Sequence, residues 1–336
     1  MDPVDKHVED FLIHIRIERN YSAATEHSYR FALSHFLQFL TQTDRQLTDK
    51  NCIPEFIRYL QDRGNCDITI AHRLAVLKSF FAYLLRKGIV RKGRLPAIEK
   101  YKTTRKIISI PTEGEVNLFI NSIEEEYQQV QAHMDTGSPQ TNGKEKAKSF
   151  SLFRDLTLFT LITATGLRIS EALRITEPDI NWNDFSIKIL GKGSKERLIY
   201  FGIERLKELL RRLLELKQEL GIESPYLFVS YQHKAPLTPR YVQKIMKAFL
   251  AKTSSSCYTP HTLRHYYATR SIEKEANIKA IAVLLGHADV STTLKMYCHI
   301  SAQVLKQVFE TLNPFSTITL PVEQMIQLRY ETLVNL

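Results

Sequence analysis

The sequence predicts a mainly α-helical protein with one small β-sheet, made of an N-terminal helical bundle and a C-terminal α+β domain. Three observations lead to this fold class. Apolar residues recur at the spacing of an amphipathic helix over most of the chain. Two short runs rich in β-formers, 184–190 and 196–201, flank the glycine-containing segment 191–195. The length of 336 residues exceeds what one hydrophobic core usually holds together, which indicates two domains.

The first domain is predicted to span residues 1–101 and to consist of helices with recognisable ends. Ser22 is a candidate N-cap, and an apolar stripe at helical spacing follows it. A second helix, about 53–63, and a third, about 68–87, are each predicted to stop at a glycine. The third helix is expected to turn its apolar face inward and to keep its basic residues, including Arg73, elsewhere on its surface.

A basic linker, residues 102–111, is predicted to separate this bundle from a second domain, 112–312. Helical periodicity is lost before position 112, and Thr112 with Glu115 then forms a T-x-x-E capping box that starts a new helix. Inside the second domain, residues 132–149 are polar and lack an apolar period. We therefore expect a mobile surface loop there.

The rest of the second domain is predicted to contain a buried helix, a hairpin and a series of further helices. The buried helix should end at Gly166, and the two β-forming runs should pair across their glycine-containing turn. Residues 313–336 form a C-terminal extension beyond the domain. Further helices are expected near 203–220, 238–252, 261–275, 277–285, 290–296 and 301–312.

The positive charge is concentrated in one segment of the chain. The formal net charge is +10, and residues 61–110 hold twelve Lys and Arg against three Asp and Glu. Such a cluster indicates a surface for a polyanion, although a solvated face is the commoner meaning of a charge run. The candidate DNA-contacting residues are Arg73, Lys78, Arg86, Lys87, Arg91, Lys92, Arg94, Lys100, Lys102, Arg105 and Lys106.

Composition and cysteine usage point to a cytoplasmic globular protein. With 43% hydrophobic and 24% charged residues, the chain is typical neither of disordered nor of collagenous proteins. The N-terminus is acidic rather than signal-like, and the apolar runs are too short to span a bilayer. The four cysteines have no CxxC spacing, which favours a reducing compartment and argues against zinc. They are Cys52, Cys66, Cys257 and Cys298.

Five short stretches of the second domain concentrate residues that suit chemistry on a phosphodiester. Each stretch alone is weak, because single arginines, histidines and tyrosines commonly serve packing or surface roles. No H-E-x-x-H motif or carboxylate cluster indicates a metal, and GKGSK lacks the order of a P-loop. The stretches are ATGLRISE with Arg168, GKGSKER with Lys192, TPHTLRH with His261 and Arg264, LLGH with His287, and KMYCHI with Tyr297.

Taken together and in this order, these residues resemble the pattern of the tyrosine recombinase (phage integrase) family, and its Xer-like members most closely. The resemblance covers about 8–312, because TIAHRLAVLKSFFAYLLRKGIV is similar to the end of that family's DNA-contacting domain. It implies a SAM-like core-binding domain followed by a DNA breaking-rejoining catalytic domain. It also implies site-specific recombination, which serves DNA integration, excision or dimer resolution.

The resemblance assigns a role in phosphoryl transfer to each of these positions. Arg168 and Arg264 would clamp the scissile phosphate, because a guanidinium stays charged and binds two phosphate oxygens at once. Tyr297 would attack phosphorus to give a 3′-phosphotyrosyl intermediate. Lys192 would protonate the leaving 5′-hydroxyl as a general acid.

Three histidines and a glutamate complete the implied site. His261 and His287 would hydrogen-bond the phosphate, and His261 is the better candidate for assisting deprotonation of the nucleophile. His261 lies in the first turn of a helix predicted to be capped by Thr259, where an anion is favoured. Glu171 would orient the first arginine or form a plain intrahelical ion pair. We interpret His265 as a packing or orienting residue.

The implied partner is double-stranded DNA at a specific recombination site, and no cofactor is implied because the protein–DNA ester retains the bond energy. Four protomers on two sites would exchange strands through a Holliday junction, alone or with a partner recombinase. Three features depart from Xer-like enzymes. They are the long segment 132–149, the ten-residue spacing of His287 and Tyr297, and the extension 313–336, which would dock on a neighbouring protomer or pack on its own domain.

Three other functions remain open on the sequence. A type IB topoisomerase would share the tyrosine and arginine chemistry but relax supercoiled DNA without site preference. A non-catalytic protein on the same fold would bind DNA without forming a covalent adduct. A basic helical adaptor for RNA or acidic proteins would leave the ordered set of six residues unexplained.

Overall fold

The computed structural model describes residues 3–103, 110–135, 143–191, 196–253, 258–274 and 278–286. The chain divides into two compact units, Met1–Ile108 and Ser109–Leu336. Each unit has its own hydrophobic core, built from residues of that unit alone.

Within residues 3–103, the first unit is a bundle of four helices: α1 (Pro3–Ile17), α2 (Ala23–Thr43), α3 (Cys52–Asp62) and α4 (Asp67–Arg86). Its core is aromatic, with Phe36 and Phe56 rings 5.1 Å apart and Phe11 and Phe80 rings 5.3 Å apart. The predicted N-cap of α2 is confirmed, because the Ser22 hydroxyl accepts a hydrogen bond from the Thr25 amide at 3.2 Å. The three predicted helices are present, and α1 is an additional one.

The predicted surface position of Arg73 is wrong. Arg73 is only 6% exposed, and its guanidinium lies 5.8 Å from the ring of Phe31. It follows Ile70 by three residues and precedes Leu77 by four, so it shares the buried face of α4, where its aliphatic stem packs like an apolar side chain. Burial lowers the pKa of its guanidinium below the ordinary value.

Helix α4 is also the single helix of the described residues that is long and apolar enough to cross a membrane by length and composition alone. Half of the stretch that meets this criterion is buried inside the protein. Its buried residues belong to the core shared by α1, α2 and α3. This is the packing of a central helix in a helical bundle.

In the described residues of the second unit, helices pack around a three-stranded antiparallel sheet. The strands are β1 (Ile180–Asn181), β2 (Ser186–Leu190) and β3 (Glu196–Tyr200), in the order β1-β2-β3 with Ile187 opposite Ile199. The predicted hairpin strands are confirmed, and β1 is a short addition. The helices are α5 (Glu113–Asp135), α6 (Gly143–Thr165), α7 (Ile169–Ala172), α8 (Glu204–Glu219), α9 (Pro239–Lys252), α10 (Pro260–Glu273) and α11 (Ile278–Leu285).

The loop predicted at 132–149 is wrong at both ends. Helix α5 continues to Asp135 and α6 begins at Gly143, while 136–142 lie outside the described residues. The segment 144–148 is polar, but lysine, glutamate and alanine are good helix formers. Ser149 is buried and accepts a hydrogen bond from the Gln131 side chain at 2.7 Å, which ties the two helices together.

The remaining predicted helices agree with the structure wherever the chain is described. Glu115 and Thr112 form the predicted capping box, with the Glu115 carboxylate accepting from the Thr112 amide at 2.8 Å. The helices predicted near 203–220, 238–252, 261–275 and 277–285 correspond to α8, α9, α10 and α11. The helices predicted at 290–296 and 301–312, and the extension 313–336, lie outside the described residues.

Candidate active site

The turn between α6 and α7 is built around a glycine that leaves no room for a side chain. Helix α6 ends at Thr165, and Gly166 adopts a left-handed conformation with φ of +65°. A Cβ atom there would collide with the ring of Tyr267 and would lie 2.8 Å from a methyl group of Leu285. The turn therefore packs directly against α10 and α11. This packing fixes the position of the backbone that leads to Arg168, two residues after the glycine.

Arg168 caps α7 and is held by a glutamate one turn later. The buried carboxylate of Glu171 accepts from the Arg168 amide at 3.0 Å and from Arg168 Nη1 at 2.8 Å. Burial acts to raise the pKa of Glu171, but hydrogen bonds from Arg197 and from the Arg168 backbone outweigh it and lower that pKa. Glu171 is therefore ionised at neutral pH and orients the Arg168 side chain.

Arg264 reaches the same place from α10. Thr259 caps this helix as predicted, with its hydroxyl accepting from the Thr262 amide at 3.3 Å, and Pro260 is the first helical residue. Arg264 is only 2% exposed. Its Nη1 donates to the Gly166 carbonyl at 2.8 Å, so α10 is tied to the turn that carries Arg168.

The two predicted phosphate-clamping arginines meet at one backbone oxygen. Arg264 Nη2 donates to the Leu285 carbonyl at 2.6 Å, and Arg168 Nη1 donates to the same oxygen at 3.3 Å. Leu285 is the last residue of α11, and Gly286 follows it. The structure thus brings together two guanidinium groups that are 96 positions apart in the sequence.

His261 lies beside these arginines and is biased toward its neutral form. Loss of surrounding water, then the positive charges of Arg264 and Arg168, lower the pKa of His261 below its ordinary value of 6.5. Part of the residue stays open to solvent, and the ring of the buried His265 stands edge-on to the His261 ring at 4.5 Å. A neutral imidazole can accept a proton, whereas a protonated one cannot.

Three of the six predicted catalytic residues, Lys192, His287 and Tyr297, lie outside the described residues. Their roles stay predictions. The described chain reaches Gly191, one residue before the lysine, and Gly286, one residue before the histidine.

Sequence reasoning missed Arg197, which is central to this cluster. Arg197 Nη2 and Nη1 donate to the two carboxylate oxygens of Glu171 at 2.8 and 3.1 Å, and its Nε donates to the Leu284 carbonyl at 2.9 Å. The signal was available in the strand pattern. Arg197 pairs with Ile189 on the buried face of the hairpin, and a cation on such a face requires a partner.

The chemistry of the cluster suits a phosphodiester. Three arginines and one glutamate leave a net positive charge, and guanidinium groups bind phosphate oxygens through paired hydrogen bonds. Among the residues that the structure describes, no group of three or more His, Cys, Asp or Glu is placed to hold a metal ion.

Most of the candidate DNA-contacting residues are exposed on the first unit. Arg73 is buried, as described above, and Arg105 and Lys106 lie outside the described residues. The exposed members are Lys78, Arg86, Lys87, Arg91, Lys92, Arg94, Lys100 and Lys102, called here the basic segment.

Two family models match this chain. The model described as "Phage integrase family" matches residues 124–304, more than half of the chain. The model described as "Phage integrase, N-terminal SAM-like domain" matches residues 8–88. The first includes the arginine and histidine cluster, and the second covers the four-helix bundle.

Curated relatives match over nearly the whole length. Tyrosine recombinase XerD of Listeria monocytogenes serovar 1/2a is 30% identical over 317 residues, which cover 91% of this chain and 98% of the relative. Tyrosine recombinase XerC of Chlorobaculum tepidum is 29% identical over 323 residues, covering 91% and 93%. Among solved structures, the XerH site-specific recombinase bound to difH substrate in a pre-cleavage complex has the same fold. It gives a TM-score of 0.64 at 21% identity, covering 91% of this chain and 83% of XerH.

Proposed function

The chain belongs to the phage integrase family and is a tyrosine recombinase, and from this premise we propose how its residues divide the reaction. Its activity is site-specific recombination of DNA by strand transfer. Family membership therefore favours recombination over topoisomerase-like relaxation and over non-catalytic DNA binding.

In this proposal, Arg168 and Arg264 bind the non-bridging oxygens of the scissile phosphate. The observation that supports it most strongly is their convergence on the Leu285 carbonyl, with His261 beside them. Negative charge on those oxygens grows in the transition state, so fixed guanidinium groups stabilise it more than the ground state. Glu171 orients Arg168, and His265 supports His261 from within the core of the unit.

The covalent step is assigned to Tyr297. Its phenolic oxygen attacks phosphorus, a phosphotyrosyl ester forms with the 3′ end, and the bond to the 5′ oxygen breaks. Lys192 supplies the proton to that 5′ oxygen, and His261 assists removal of the proton from the phenol. His287 hydrogen-bonds the phosphate. In the reverse reaction a new 5′-hydroxyl attacks the phosphotyrosyl ester, the strand is resealed and the phenol of Tyr297 is released. Neither step consumes a cofactor or uses a metal.

The proposed partner is double-stranded DNA at a specific recombination site. XerH is bound to a difH DNA substrate in its solved structure. Because this chain has the same fold, we infer that it also binds DNA at a recombination site. The basic segment would contact backbone phosphates, which position the protein without selecting sequence. We further propose a homotetramer on two sites, a Holliday junction intermediate, and a cytoplasmic location.

Covalent trapping on a nicked suicide duplex tests this function. Wild-type protein is incubated with a library of nicked duplexes of randomised sequence, and DNA that stays attached after denaturation is recovered and sequenced. We expect adducts with wild type and with Tyr200→Phe, a control at an exposed tyrosine of β3, and none with Tyr297→Phe. Adducts in both Tyr297→Phe and wild type would remove Tyr297 as nucleophile, and no adduct in wild type would overturn the function.

A further inference from the structure

Arg197 joins Glu171 of α7 to the end of α11 through three hydrogen bonds. From strand β3 it binds both carboxylate oxygens of Glu171, and its Nε binds the Leu284 carbonyl in the last turn of α11. Its side chain is only 10% exposed, and that of Glu171 is 6% exposed. A two-point arginine–carboxylate pair with this burial is geometrically specific, because both groups lose their water and must satisfy each other.

The C-terminal end of α11 is held by three arginines. The carbonyls of Leu284 and Leu285 accept from Arg197 and Arg264, and Arg168 Nη2 approaches the Gly286 carbonyl at 3.5 Å. The last carbonyls of a helix have no partner within the helix and carry its negative dipole end, so cations stabilise them.

Gly286 shows how closely Arg197 packs against this helix end. Its φ is +64°, and a Cβ atom there would lie 2.8 Å from Arg197 Nη1. His287, the residue next in sequence, is a predicted phosphate ligand. Arg197 thus holds the backbone at the end of α11, shortly before His287.

The charges give Arg197 a second effect, on Arg168. Glu171 carries one negative charge and contacts both arginines. If Glu171 contacted Arg168 alone, that pair would be neutral as a unit. With Arg197 bound to the same carboxylate, the group keeps a net positive charge, and Arg168, at 35% exposure, is its member that is open to solvent.

Building on the proposed function, we propose that Arg197 is a positioning residue for strand cleavage. It locks Glu171 and the end of α11 into one unit, so that Arg168 presents its positive charge to the scissile phosphate. Arg197 acts through these groups and does not itself contact the DNA.

The test compares an ordinary scissile phosphate with a methylphosphonate, in which a methyl group replaces one non-bridging oxygen and removes the charge. The DNA is the duplex sequence recovered in the covalent-trapping experiment. Its single-turnover cleavage is measured for wild type, Arg197→Met, Arg197→Lys and Arg168→Ala. Arg205→Met is the matched control, because Arg205 forms an exposed ion pair with Glu124. DNA affinity and thermal unfolding are measured for every variant.

We expect Arg197→Met to cleave the ordinary phosphate about 100-fold more slowly than wild type at unchanged DNA affinity, a loss typical of a misplaced catalytic group. On the methylphosphonate the losses of both Arg197→Met and Arg168→Ala should shrink together, because charge stabilisation matters less there. Arg197→Lys should fall between Met and wild type, since an ammonium keeps the charge but lacks the planar fork that binds both carboxylate oxygens of Glu171 while Nε reaches the Leu284 carbonyl. Arg205→Met should match wild type on both substrates.

An equal loss on both substrates would overturn the positioning role, as would wild-type cleavage by Arg197→Met. If Arg197→Met fails to fold, Arg197→Lys decides by the same comparison. Failure of the proposed function has a different signature: wild type would form no adduct, or Arg168→Ala would cleave the ordinary phosphate as fast as wild type, whatever the Arg197 variants do.

Discussion

The protonation of His261 is controlled by loss of water and by two neighbouring positive charges. Loss of water and the charges of Arg264 and Arg168 lower its pKa, so the imidazole is neutral over a wider pH range than an ordinary histidine. By linkage, its contribution to stability is fully present above pH 6.5 and is lost as the pH falls through the lowered pKa. If cleavage needs neutral His261, the cleavage rate should likewise fall as the pH drops through this lowered pKa.

We predict that Arg168→Ala raises the pKa of His261 toward 6.5, because one of the two nearby positive charges disappears. The measurement is the NMR titration of the His261 ring protons in free protein, which needs no DNA and no activity. Arg205→Ala is the control, and its titration curve for His261 should overlay that of wild type. A pKa of His261 that does not rise in Arg168→Ala would contradict the electrostatic coupling.

At this scale the sequence predicted which residues lie together better than which are buried, and the catalytic roles stay predictions. The order of residues identified Arg168, His261 and Arg264, and the structure places them together. Arg197 was missed: the strand pattern could indicate a cation in need of a partner, but which partner it binds depends on how β3 packs against α7 and α11. Sequence reasoning misplaced Arg73, since an arginine on a helix is ordinarily solvated and only the packing of α4 shows otherwise.

At the scale of elements, α6 is the central helix of the second unit and contains a buried ion pair. Arg154 Nε and Nη2 donate to Asp155 at 2.9 and 2.7 Å, and Arg154 Nη1 donates to the Val229 carbonyl at 2.8 Å. Burial raises the pKa of Asp155 from 3.8 to about 6, against the opposing effect of Arg154. Helix α6 ends directly before Gly166, so a stable α6 also holds the turn that leads to Arg168 in the candidate active site.

Asp155→Asn should change the pH dependence of stability in a defined direction. Between pH 6 and 4, the folded wild type keeps the Asp155 proton while the unfolded chain releases it, so the free energy of unfolding rises as the pH falls. Relative to Asp155→Asn, wild type should gain about 1.4 kcal/mol for each unit of pKa difference. Urea unfolding at several pH values measures this gain. A pH-independent difference would count against it, and the exposed Asp62→Asn is the control.

Helices and strands were largely predictable because their ends carry local signals, such as Ser22, Thr112 and Thr259. The segment 132–149 was not, because its polar composition was taken for a loop although its lysines and glutamate favour helix. Strand β1 has only two residues, and pairing with β2 rather than any local pattern defines it.

For the whole molecule, charge is divided between two tasks. The basic segment lies on the first unit, while the second unit concentrates guanidinium groups at one cluster. In the proposed function, exposed lysines and arginines of the basic segment attract DNA broadly and release counterions, whereas the buried Arg264 binds one phosphate.

Replacing Arg91, Lys92 and Arg94 by glutamine should therefore weaken DNA binding and flatten its salt dependence. Each phosphate contact that is lost should reduce the slope of log affinity against log salt by about 0.9. Fluorescence anisotropy over a salt series measures this slope. The matched control removes three exposed lysines, Lys144, Lys146 and Lys148, from the second unit, and its slope should remain that of wild type. Equal slopes in all three proteins would exclude the basic segment as a DNA contact.

Gly166 and Gly286 are two positions of this enzyme at which the structure accepts no side chain. Both have a left-handed backbone, and at both a single added methyl group would meet Tyr267, Leu285 or the Arg197 guanidinium. Directed evolution toward new target sites should consequently recover almost no substitutions at these two positions. A library that holds them constant and varies exposed positions of the first unit would place its diversity where the chain can accept it.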